Sequence, residues 1–328
     1  MGSEFIGRSV NFAVAPEEVR GVAETTAIKS VRKVECNIIP RAERVIDDST
    51  FGRLEDAERV RTVRRWSEGD VSGVLHADVL GYFLLNLYGS VSSQADGDAY
   101  AHTFTLDQTI LHDTLTLFVQ DADVRQQKVA GGVISTLEIT ASTDDYVRFS
   151  ASFLGKEGVD DTSALPALDT EYDFVGRDIT VKMADTEAGL AGATALKLKD
   201  ISLTLNSNAE ADWVFGSYSP DNIYNKTFMI EGSFTRNFTD ETLKDMYEGD
   251  SFKYASIVIE GEADLGGGKH PKIAITIYKL QLTDWNRTSA GDDLSTEEIT
   301  FKAFLNTTDS KASQIVLTNT TESYVVGS

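Results

Sequence analysis

The sequence predicts a mainly β protein with two tandem β-barrel or β-sandwich domains, each flanked by one short α-helix. Three observations predict this class. Apolar and polar residues alternate along many short segments, proline is scarce at five in 328 residues, and one order of elements occurs twice. Alternation with a period of two places the apolar side chains on one face of a strand. Many such segments between Gly, Asp, Asn and Ser turns are typical of a sandwich or barrel.

Predicted strands run through the whole chain, and each is defined by its apolar face. In the first half the clearest faces are Val34, Cys36 and Ile38; Leu115, Leu117 and Val119; Val133, Leu137 and Ile139; and Val147, Phe149 and Phe153. In the second half they are Ile179, Val181 and Met183; Ile201, Leu203 and Leu205; Ile257 and Ile259; Ile273, Ile275 and Ile277; and Phe301, Ala303 and Leu305.

Two short helices are predicted among the strands. Asp78 can cap the first, residues 79–87 carry its apolar stripe, and Gly89 ends it. Thr239 can cap the second, its first turn is acidic, and Gly249 ends it. A helix that packs on a small β-barrel buries its apolar stripe in the core, so neither helix requires a ligand.

One order of elements occurs in both halves of the chain. Residues 61–89 read as a strand, the segment WSEGDVSG and a helix ending in LYG. Residues 226–249 read as a strand containing MIEGSFTRN and a helix ending in MYEG. The following strands match in character: LTLFVQDAD with IVIEGEADL, STLEIT with YKLQLT, and VRFSASFLG with EITFKAFLN. Corresponding elements lie roughly 140–165 residues apart, which predicts a duplication.

The repeat sets the predicted domain boundaries. The first domain spans residues 31–160 and the second spans residues 176–306. Residues 161–175 lie between them, contain Asp, Ser, Pro and Ala, and are predicted to form a linker. Residues 1–30 and 307–328 are predicted to be terminal arms, which either become ordered on assembly or stay disordered.

The formal net charge of −22 is unevenly distributed. Acidic and basic residues nearly balance over residues 1–75, so almost the whole acidic excess lies in residues 76–328. Such a field repels duplex DNA, which carries about one negative charge per 1.7 Å of its axis, so tight nucleic-acid binding is not expected. An acidic surface that keeps the protein soluble is the simplest interpretation, and adaptation to high salt is another.

The sequence contains no recognisable catalytic, cofactor or metal site. Its four histidines have no metal-ligand spacing, and LGGGKH at residues 265–270 lacks the frame of a phosphate-binding loop. Cys36 lies in an alternating strand, where a buried thiol is usually unreactive. We therefore predict no enzymatic activity, no cofactor and no metal. No apolar stretch approaches the roughly 18 residues of a spanning helix, so no membrane insertion is expected.

Two longer stretches carry a family-like pattern of spacing and residue character. The first is WSEGDVSGVLHADVLGYFLLNLYG, followed by strands and then by GGVISTLEITASTDDYVRFSASFLGKE. The second is LKDISLTLNSNAEADWVFGSYSPDNIY, followed by KTFMIEGSFTRNFTDETLKDMYEG. Together they resemble the tail tube proteins of long-tailed, siphovirus-like viruses of bacteria or archaea. The resemblance covers roughly residues 30–306.

The resemblance implies a structural, non-enzymatic virion protein. Domains of this family are β-barrels or sandwiches with a flanking helix, and they form rings that stack into a hollow tube for the genome. A chain with two such domains is expected to form a ring of three copies with pseudo-six-fold symmetry. Its partners would be itself and other tail proteins at the tube ends. It would be made in the host cytoplasm and reside in the virion tail, where genomic DNA passes without tight binding.

Ring closure is favourable because sheet edges carry unpaired N–H and C=O groups, which form hydrogen bonds with a neighbouring strand. If each domain's inner sheet continues into its neighbour's, the ring closes without free edges. Some of the acidic residues are then expected to line the passage, where they prevent DNA from sticking.

The segment at residues 40–59 mixes both signs of charge densely. It is predicted to be a loop that forms salt bridges with the ring above or below. The candidate assembly contacts are Arg41, Arg44, Asp47, Asp48, Arg53, Glu55 and Arg59. Exposed pairs contribute only about 0–1 kcal/mol each, so such a contact would act by repetition. A solvated surface loop or a short amphipathic helix without a partner is the alternative.

A different class of function stays open at this level. A carbohydrate- or cell-surface-binding β-module, such as an adhesin or surface-layer domain, would have a similar composition. That function would need exposed aromatic side chains, and the three tryptophans, Trp66, Trp213 and Trp285, are scattered along the sequence. Each is more readily explained as core packing.

Overall fold

The computed structural model describes residues 6–32, 34–49, 52–168 and 172–325. Within these residues the chain is mainly β, with 20 strands and two α-helices, which confirms the predicted fold class. Parts of four predicted segments lie outside the described residues: 1–5 of the N-terminal arm, 50–51 of the charged segment, 169–171 of the linker and 326–328 of the C-terminal arm.

The first half contains eleven of these strands and one long helix. The strands are β1 (Val10–Pro16), β2 (Lys29–Val31), β3 (Val34–Cys36), β4 (Ile39–Asp47), β5 (Arg59–Val74), β6 (Gly89–Asp96), β7 (Ala99–Leu106), β8 (Leu115–Asp121), β9 (Arg125–Ser142), β10 (Arg148–Gly155) and β11 (Val159–Asp160). The helix α1 (Ala77–Tyr88) lies between β5 and β6.

The second half contains nine strands and a shorter helix. The strands are β12 (Ile179–Ala184), β13 (Leu198–Asn206), β14 (Glu210–Asp212), β15 (Asn222–Tyr224), β16 (Met229–Asn237), β17 (Phe252–Glu260), β18 (Lys272–Thr288), β19 (Thr296–Ala303) and β20 (Ser313–Asn319). The helix α2 (Thr242–Glu248) lies between β16 and β17. Strands β14 and β15 form a separate small hairpin.

Seven strands form one antiparallel sheet that crosses both halves. Their order is β5, β10, β9, β13, β16, β19, β18, and we call this arrangement the continuous sheet. The two halves meet where β9 pairs with β13, from Asp200 opposite Ser142 to Asn206 opposite Thr136. Strands β3 and β4 extend the sheet on the β5 side.

Two further strand layers complete the fold, and each joins the continuous sheet through one long strand. In the first half the order is β2, β1, β8, β9, β11, and in the second half it is β12, β17, β18, β20, β7, β6. Strands β9 and β18 have 18 and 17 residues, which is long enough to take part in both layers. The hairpin β6–β7 therefore belongs to the first half in sequence and to the second half in pairing.

The same pairing pattern occurs in both halves. Strand β10 pairs with β5 and β9, as β19 pairs with β16 and β18, and β8 pairs with β1 and β9, as β17 pairs with β12 and β18. A β-bulge also recurs at the corresponding place, because β10 skips Ser135 of β9 and β19 skips Thr283 of β18.

Helix α1 is buried along its whole length. It starts two residues earlier than its sequence suggests, so Asp78 lies in its first turn, where its carboxylate interacts favourably with the positive end of the helix dipole. Gly89 ends the helix as expected, with φ 74° and its N–H donated to the Leu85 carbonyl. Most of its buried residues are apolar, and the buried amide of Asn86 forms hydrogen bonds with the backbone of Asp113, Gly132 and Ile134.

A single apolar core extends through both halves. In the first half, Phe83 of α1 packs against Phe149 and Phe153 of β10, with ring centroids 5.6 Å apart in each pair. Phe12 of β1 closes on Phe153 at 5.9 Å. The second half continues the core through the aliphatic faces of β17 and β18, where Ile257 and Ile275 are buried.

The two predicted arms are largely parts of the folded structure, which corrects the expectation from sequence. The N-terminal arm contains β1, a strand paired on both sides whose Phe12 and Val14 are fully buried. The C-terminal arm contains β20, which pairs with both β18 and β7. After it, Tyr324 lies in the core and its hydroxyl donates to the Asp78 carbonyl at 2.9 Å. Both segments are ordered because they complete apolar layers.

The predicted linker packs against the first half. Asp161 forms an ion pair with Lys128 at 3.7 Å and accepts a hydrogen bond from Gln126 at 2.9 Å. The Ser30 hydroxyl donates to the Pro166 carbonyl at 2.7 Å, and Phe174 is fully buried. The domain boundaries stay a prediction.

Candidate functional site

The continuous sheet has one face in the core and one polar face. The register of β10 shows the alternation: Phe149, Ala151 and Phe153 are buried, whereas Ser150 and Ser152 are partly accessible. The same alternation continues through the neighbouring strands of the sheet, because they are paired in register. The polar side chains therefore share one surface.

These polar residues form rows across the strands. The longest row crosses all seven strands through Ser72, Ser150, Glu138, Thr204, Glu231, Lys302 and Gln281. Two shorter rows contain Arg148, Thr140, Ser202, Ser233, Thr300 and Asp284, and Ser142, Asp200, Thr235, Glu298 and Asn286. Glu68, Asp70, Ser152, Thr136 and Asn206 extend the surface at one end. We call this set of residues the polar face.

Carboxylates dominate the charge of the polar face. Seven of its residues are acidic (Glu68, Asp70, Glu138, Asp200, Glu231, Asp284 and Glu298), and two are basic (Arg148 and Lys302). Both cations are paired with carboxylates, Arg148 with Asp145 at 2.9 Å and Lys302 with Glu231 at 2.6 Å. The face therefore has an excess of five negative charges, and its remaining side chains are mostly neutral hydroxyls and amides.

Hydroxyl groups orient several of these carboxylates. The Ser202 hydroxyl donates to Glu138 at 2.9 Å, and the Ser152 hydroxyl donates to Asp70 at 2.6 Å. Short hydroxyl side chains also keep the surface smooth, because none of them projects far from the sheet.

Both borders of the continuous sheet have unpaired backbone. At one border, residues 282–288 of β18 pair with β19 on one side and with no other strand among the described residues. At the other border, β4 pairs with β5 alone within the described part of the chain. Residues 136–140 of β9, which occupy the matching place in the first half, pair on both sides. Unpaired edges of this kind invite pairing with another chain.

The seven charged residues singled out from sequence lie on a long hairpin formed by β4 and β5. The charged segment is therefore mostly strand and turn, which corrects the predicted loop, and its outer strand β4 is almost wholly exposed. Arg41, Arg44 and Asp47 lie on β4, Arg59 begins β5, and Asp48, Arg53 and Glu55 lie in the connection. Strands β4 and β5 pair from Ile39 opposite Glu68 to Asp47 opposite Arg59, and this ladder extends beyond the edge of the sheet as a hairpin.

Some of these charges are paired within the hairpin. Arg41 contacts Glu68 at 2.8 Å, and Arg59 contacts Asp47 at 3.0 Å. Hydrogen bonds from Ser49, followed by the one from Arg59, lower the pKa of Asp47. These pairs hold the two strands together, so fewer of the seven residues are available for another chain than the sequence suggests.

A loop at residues 213–218, which we call the aromatic loop, lies against the base of the hairpin. Trp213 packs edge-on against Trp66 at 5.7 Å, and the Arg64 guanidinium lies 4.9 Å from the Trp213 ring. The backbone N–H of Arg65 donates to the Tyr218 carbonyl at 2.7 Å. The third tryptophan, Trp285, donates its indole N–H to Glu297 at 2.7 Å. All three tryptophans thus have packing or hydrogen-bonding roles inside the molecule.

Groups suited to catalysis or metal binding are dispersed. No three His, Cys, Asp or Glu side chains among the described residues are grouped to hold a metal ion. His102 is buried and bonded to Ser93 and to the Thr321 carbonyl, both at 2.8 Å, and burial lowers its pKa. Burial raises the pKa of the Cys36 thiol to about 11. The described helices include none with the length and apolarity to cross a membrane.

A cleft of about 700 Å³ lies between the two halves. Residues 105–112 form one wall, and the starts of β16 and β20 and the end of β19 form the other. Asn225 is buried at its margin, and neither amide atom of its side chain has a hydrogen-bond partner. His112 and Lys311 also line the cleft without forming a nucleophile–base pair, so its geometry does not favour catalysis.

Sequence alone did not indicate the polar face. The signal was present in the polar members of each alternating strand, but it does not say which strands share a sheet. That information comes from register, which joins strands as far apart as β5 and β19.

Comparison with known proteins agrees with this architecture. A family model described as phage tail tube protein matches residues 7–303, which is nearly the whole chain. A search of curated proteins found no match. Proteins of this family are structural components of the virion tail, and the family implies association with copies of itself and with other tail proteins. The chain belongs to the phage tail tube protein family.

Proposed function

We propose that this protein is the subunit of a hollow tail tube in a long-tailed virus. Copies assemble into rings, the rings stack, and the viral genome passes through the tube during delivery to the host. One observation carries the proposal: a continuous sheet has an acidic, hydroxyl-rich face and ends in an unpaired border on each side. A closed ring of such sheets satisfies both borders and turns the polar face into a channel wall.

The repeated pairing pattern supports a proposal for the number of chains in each ring. We propose that the chain is a duplication of one unit and that three chains form a ring of six units. The recurrence of the same strand partners and of the bulge at Ser135 and Thr283 supports this division. The first unit then includes β1, which pairs with β8 as β12 pairs with β17.

The β9–β13 pairing inside the chain indicates how strands of two neighbouring chains pair. We propose that residues 282–288 of β18 pair with β4 of the next copy, as β9 pairs with β13. Phe153 of β10 pairs with Gly69 of β5, and Phe301 of β19 pairs with Gly232 of β16. These two pairs occupy equivalent places, so they transfer the register of the β9–β13 pair to the proposed β18–β4 pair. In that register Arg41 lies opposite Asp284. Opposite charges directly across a strand pair contribute roughly 0.2–1 kcal/mol.

The polar face suits the passage of DNA because it offers nothing for DNA to bind. Neutralising phosphates requires free Lys or Arg, and the two cations of the face are already paired with carboxylates. The hairpin of β4 and β5 extends from the end of the sheet, and we propose that it contacts the adjacent ring. Other tail proteins would cap the tube at its ends.

The junction is tested by reversing charges at the border. Arg41→Asp and Asp284→Arg each place like charges opposite one another, so each variant should weaken ring formation by about 1 kcal/mol per interface, or about fivefold. The double variant restores the pair and should recover assembly. Light scattering and negative-stain microscopy measure rings and tubes. Arg148→Asp, away from the border, is the control. Equal assembly of all variants would rule out this register, and a wild-type protein that stays monomeric would rule out the tube.

A further inference from the structure

The aromatic loop carries the most exposed aromatic side chain among the described residues. Phe215 at its tip is 108% exposed relative to a free residue, and Val214 and Tyr218 beside it are also exposed. An apolar side chain of this size in contact with water on every side gains free energy on burial. The loop does not bury it in the single chain.

The loop holds this side chain in a defined position. Its two ends are fixed by the Trp213–Trp66 contact and by the Arg65–Tyr218 backbone hydrogen bond. The Arg65 guanidinium also lies 5.5 Å from the Tyr218 ring. Gly216 makes the turn with φ 88°, a conformation that other residues rarely adopt. A preorganised aromatic anchor loses little entropy on binding.

An apolar groove lies at the opposite end of the same strand pair. Its apolar lining is Ala141, Ile179, Val181, Leu196, Leu198 and Ile201, and its volume is about 160 Å³. A cavity of about 150 Å³ with apolar walls accommodates a benzene ring. The groove therefore has about the volume of one phenyl ring, and its apolar residues share the lining with polar side chains such as Ser142, Thr143 and Asp200.

The positions of loop and groove follow from the β9–β13 register. The groove includes Ser142 and Asp200, which face each other at one end of the pair. The aromatic loop belongs to the connection that follows Asn206, which faces Thr136 at the other end. Within one copy, Phe215 lies at one end of the β9–β13 pair and the groove lies at the other end. Phe215 therefore cannot reach the groove of its own copy.

Exposed charges of opposite sign lie beside the two sites, and Arg64 and Arg65 also lie against the rings of the aromatic loop. Lys197 and Lys199 are exposed at the rim of the groove, and Asp212 and Asp221 are exposed on either side of the aromatic loop. None of these four residues takes part in an ion pair within the described residues. Asp200 also lines the groove, so both signs of charge are present there.

We propose that Phe215 of one copy inserts into this groove of a second copy, which joins the copies head to tail. Such a contact uses two different surfaces and does not close on itself, so it propagates along an axis. It deepens the proposed function and rests on it, because it supplies an axial contact between rings that is separate from the lateral β18–β4 junction.

Cross-linking tests the contact in the full-length protein. In a Cys36→Ser background, the double variant Val214→Cys, Thr143→Cys keeps Phe215 and places one exposed thiol beside it in the loop and one on the exposed rim of the groove. A short bismaleimide should then give a ladder of dimers, trimers and higher multimers in denaturing gels. Each single-cysteine variant should give dimers at most. A double variant that forms no ladder under conditions in which tubes are visible would overturn the proposal.

A second variant separates stacking from ring formation. Phe215→Ser should raise the protein concentration needed for tubes about tenfold or more and leave rings unchanged. Val124→Ser, at another exposed apolar position, on the β8–β9 turn, is the control and should not change the concentration. Undiminished tubes from Phe215→Ser would reject this contact alone, whereas the absence of rings in the wild-type protein would reject the proposed function.

Discussion

A buried ion pair joins two strands of the second half at the level of single residues. Glu297 of β19 is fully buried, and it receives hydrogen bonds from the Arg236 guanidinium at 2.5 Å and from the Trp285 indole at 2.7 Å. Arg236 also contacts Asp240 at 3.2 Å. Both oxygens of the Glu297 carboxylate are therefore satisfied, which offsets the cost of removing the charge from water.

Removal of this carboxylate should be strongly destabilising. We expect Glu297→Ala to lower the free energy of unfolding by about 3–5 kcal/mol, because the guanidinium is left buried beside a cavity. Urea denaturation of unassembled protein measures the change. Glu298→Ala alters the next residue, which points to the polar face, and should cost less than about 0.5 kcal/mol. Similar losses for both variants would contradict the assigned orientation of β19.

The start of α2 shows how one residue sets the boundary of an element. Thr239 is the predicted cap, but the carboxylate of Asp240 accepts the Thr242 N–H at 2.9 Å. Hydrogen bonds from Thr242 lower the pKa of Asp240 to about 2. Leu243 and Met246 are buried as expected, whereas Tyr247 is partly exposed because the helix ends after seven residues.

Asp240→Ala should destabilise the protein by about 1 kcal/mol at neutral pH, as the loss of an N-cap does. Because the folded-state pKa is depressed, the contribution is present above the unfolded value near 4 and is lost as pH falls toward about 2. Urea titrations at several pH values measure the difference. Asp240→Asn keeps an acceptor and should retain most of the stability, and Thr239→Ala should have little effect. A larger effect at Thr239 would restore the assignment made from sequence.

At the scale of the whole molecule, two strand pairings join the two halves. Strands β9 and β13 connect them in the continuous sheet, and β7 and β20 connect them in the outer layer. The second connection depends on the β6–β7 hairpin after α1, whereas only three residues separate α2 from β17. A junction between chains has no equivalent hairpin, so we expect the inner wall of a ring to approach six-fold symmetry and its outer surface to keep three-fold symmetry.

Reversing charge on the polar face should leave assembly intact and slow the passage of DNA. The test reverses three acids of that face to lysine: Asp70, Glu138 and Glu298. A matched control reverses three exposed acids elsewhere: Asp123, Glu248 and Glu322. Lysines in a channel bind phosphates and release counterions, so we expect the delay in genome release to shrink as salt rises. Release assays on virions that carry each variant measure it, and equal rates would argue against a channel wall.

Local sequence signals predicted most of the strands and both helices. Alternation in β10 and β17 marks strands because their two faces meet different environments, and Gly89 ends α1 because it has no side chain to oppose a positive φ. The order of the two arms was not predicted because Phe12 and Ile315 lie in short segments outside the repeat. The strands that pair with these segments, β8 and β18, are distant in sequence. Strand pairing over such separations leaves no local trace.

The sequence by itself determined the β class, the recurring order of elements, the acidic excess and membership in the phage tail tube protein family, since each of these depends on composition or short-range order. Only the tertiary structure decided which acids share a face, which edges stay unpaired, and that Phe215 and its complementary groove lie at opposite ends of one strand pair. Register between distant strands fixes all three, because a shift of one residue would turn every polar side chain toward the core.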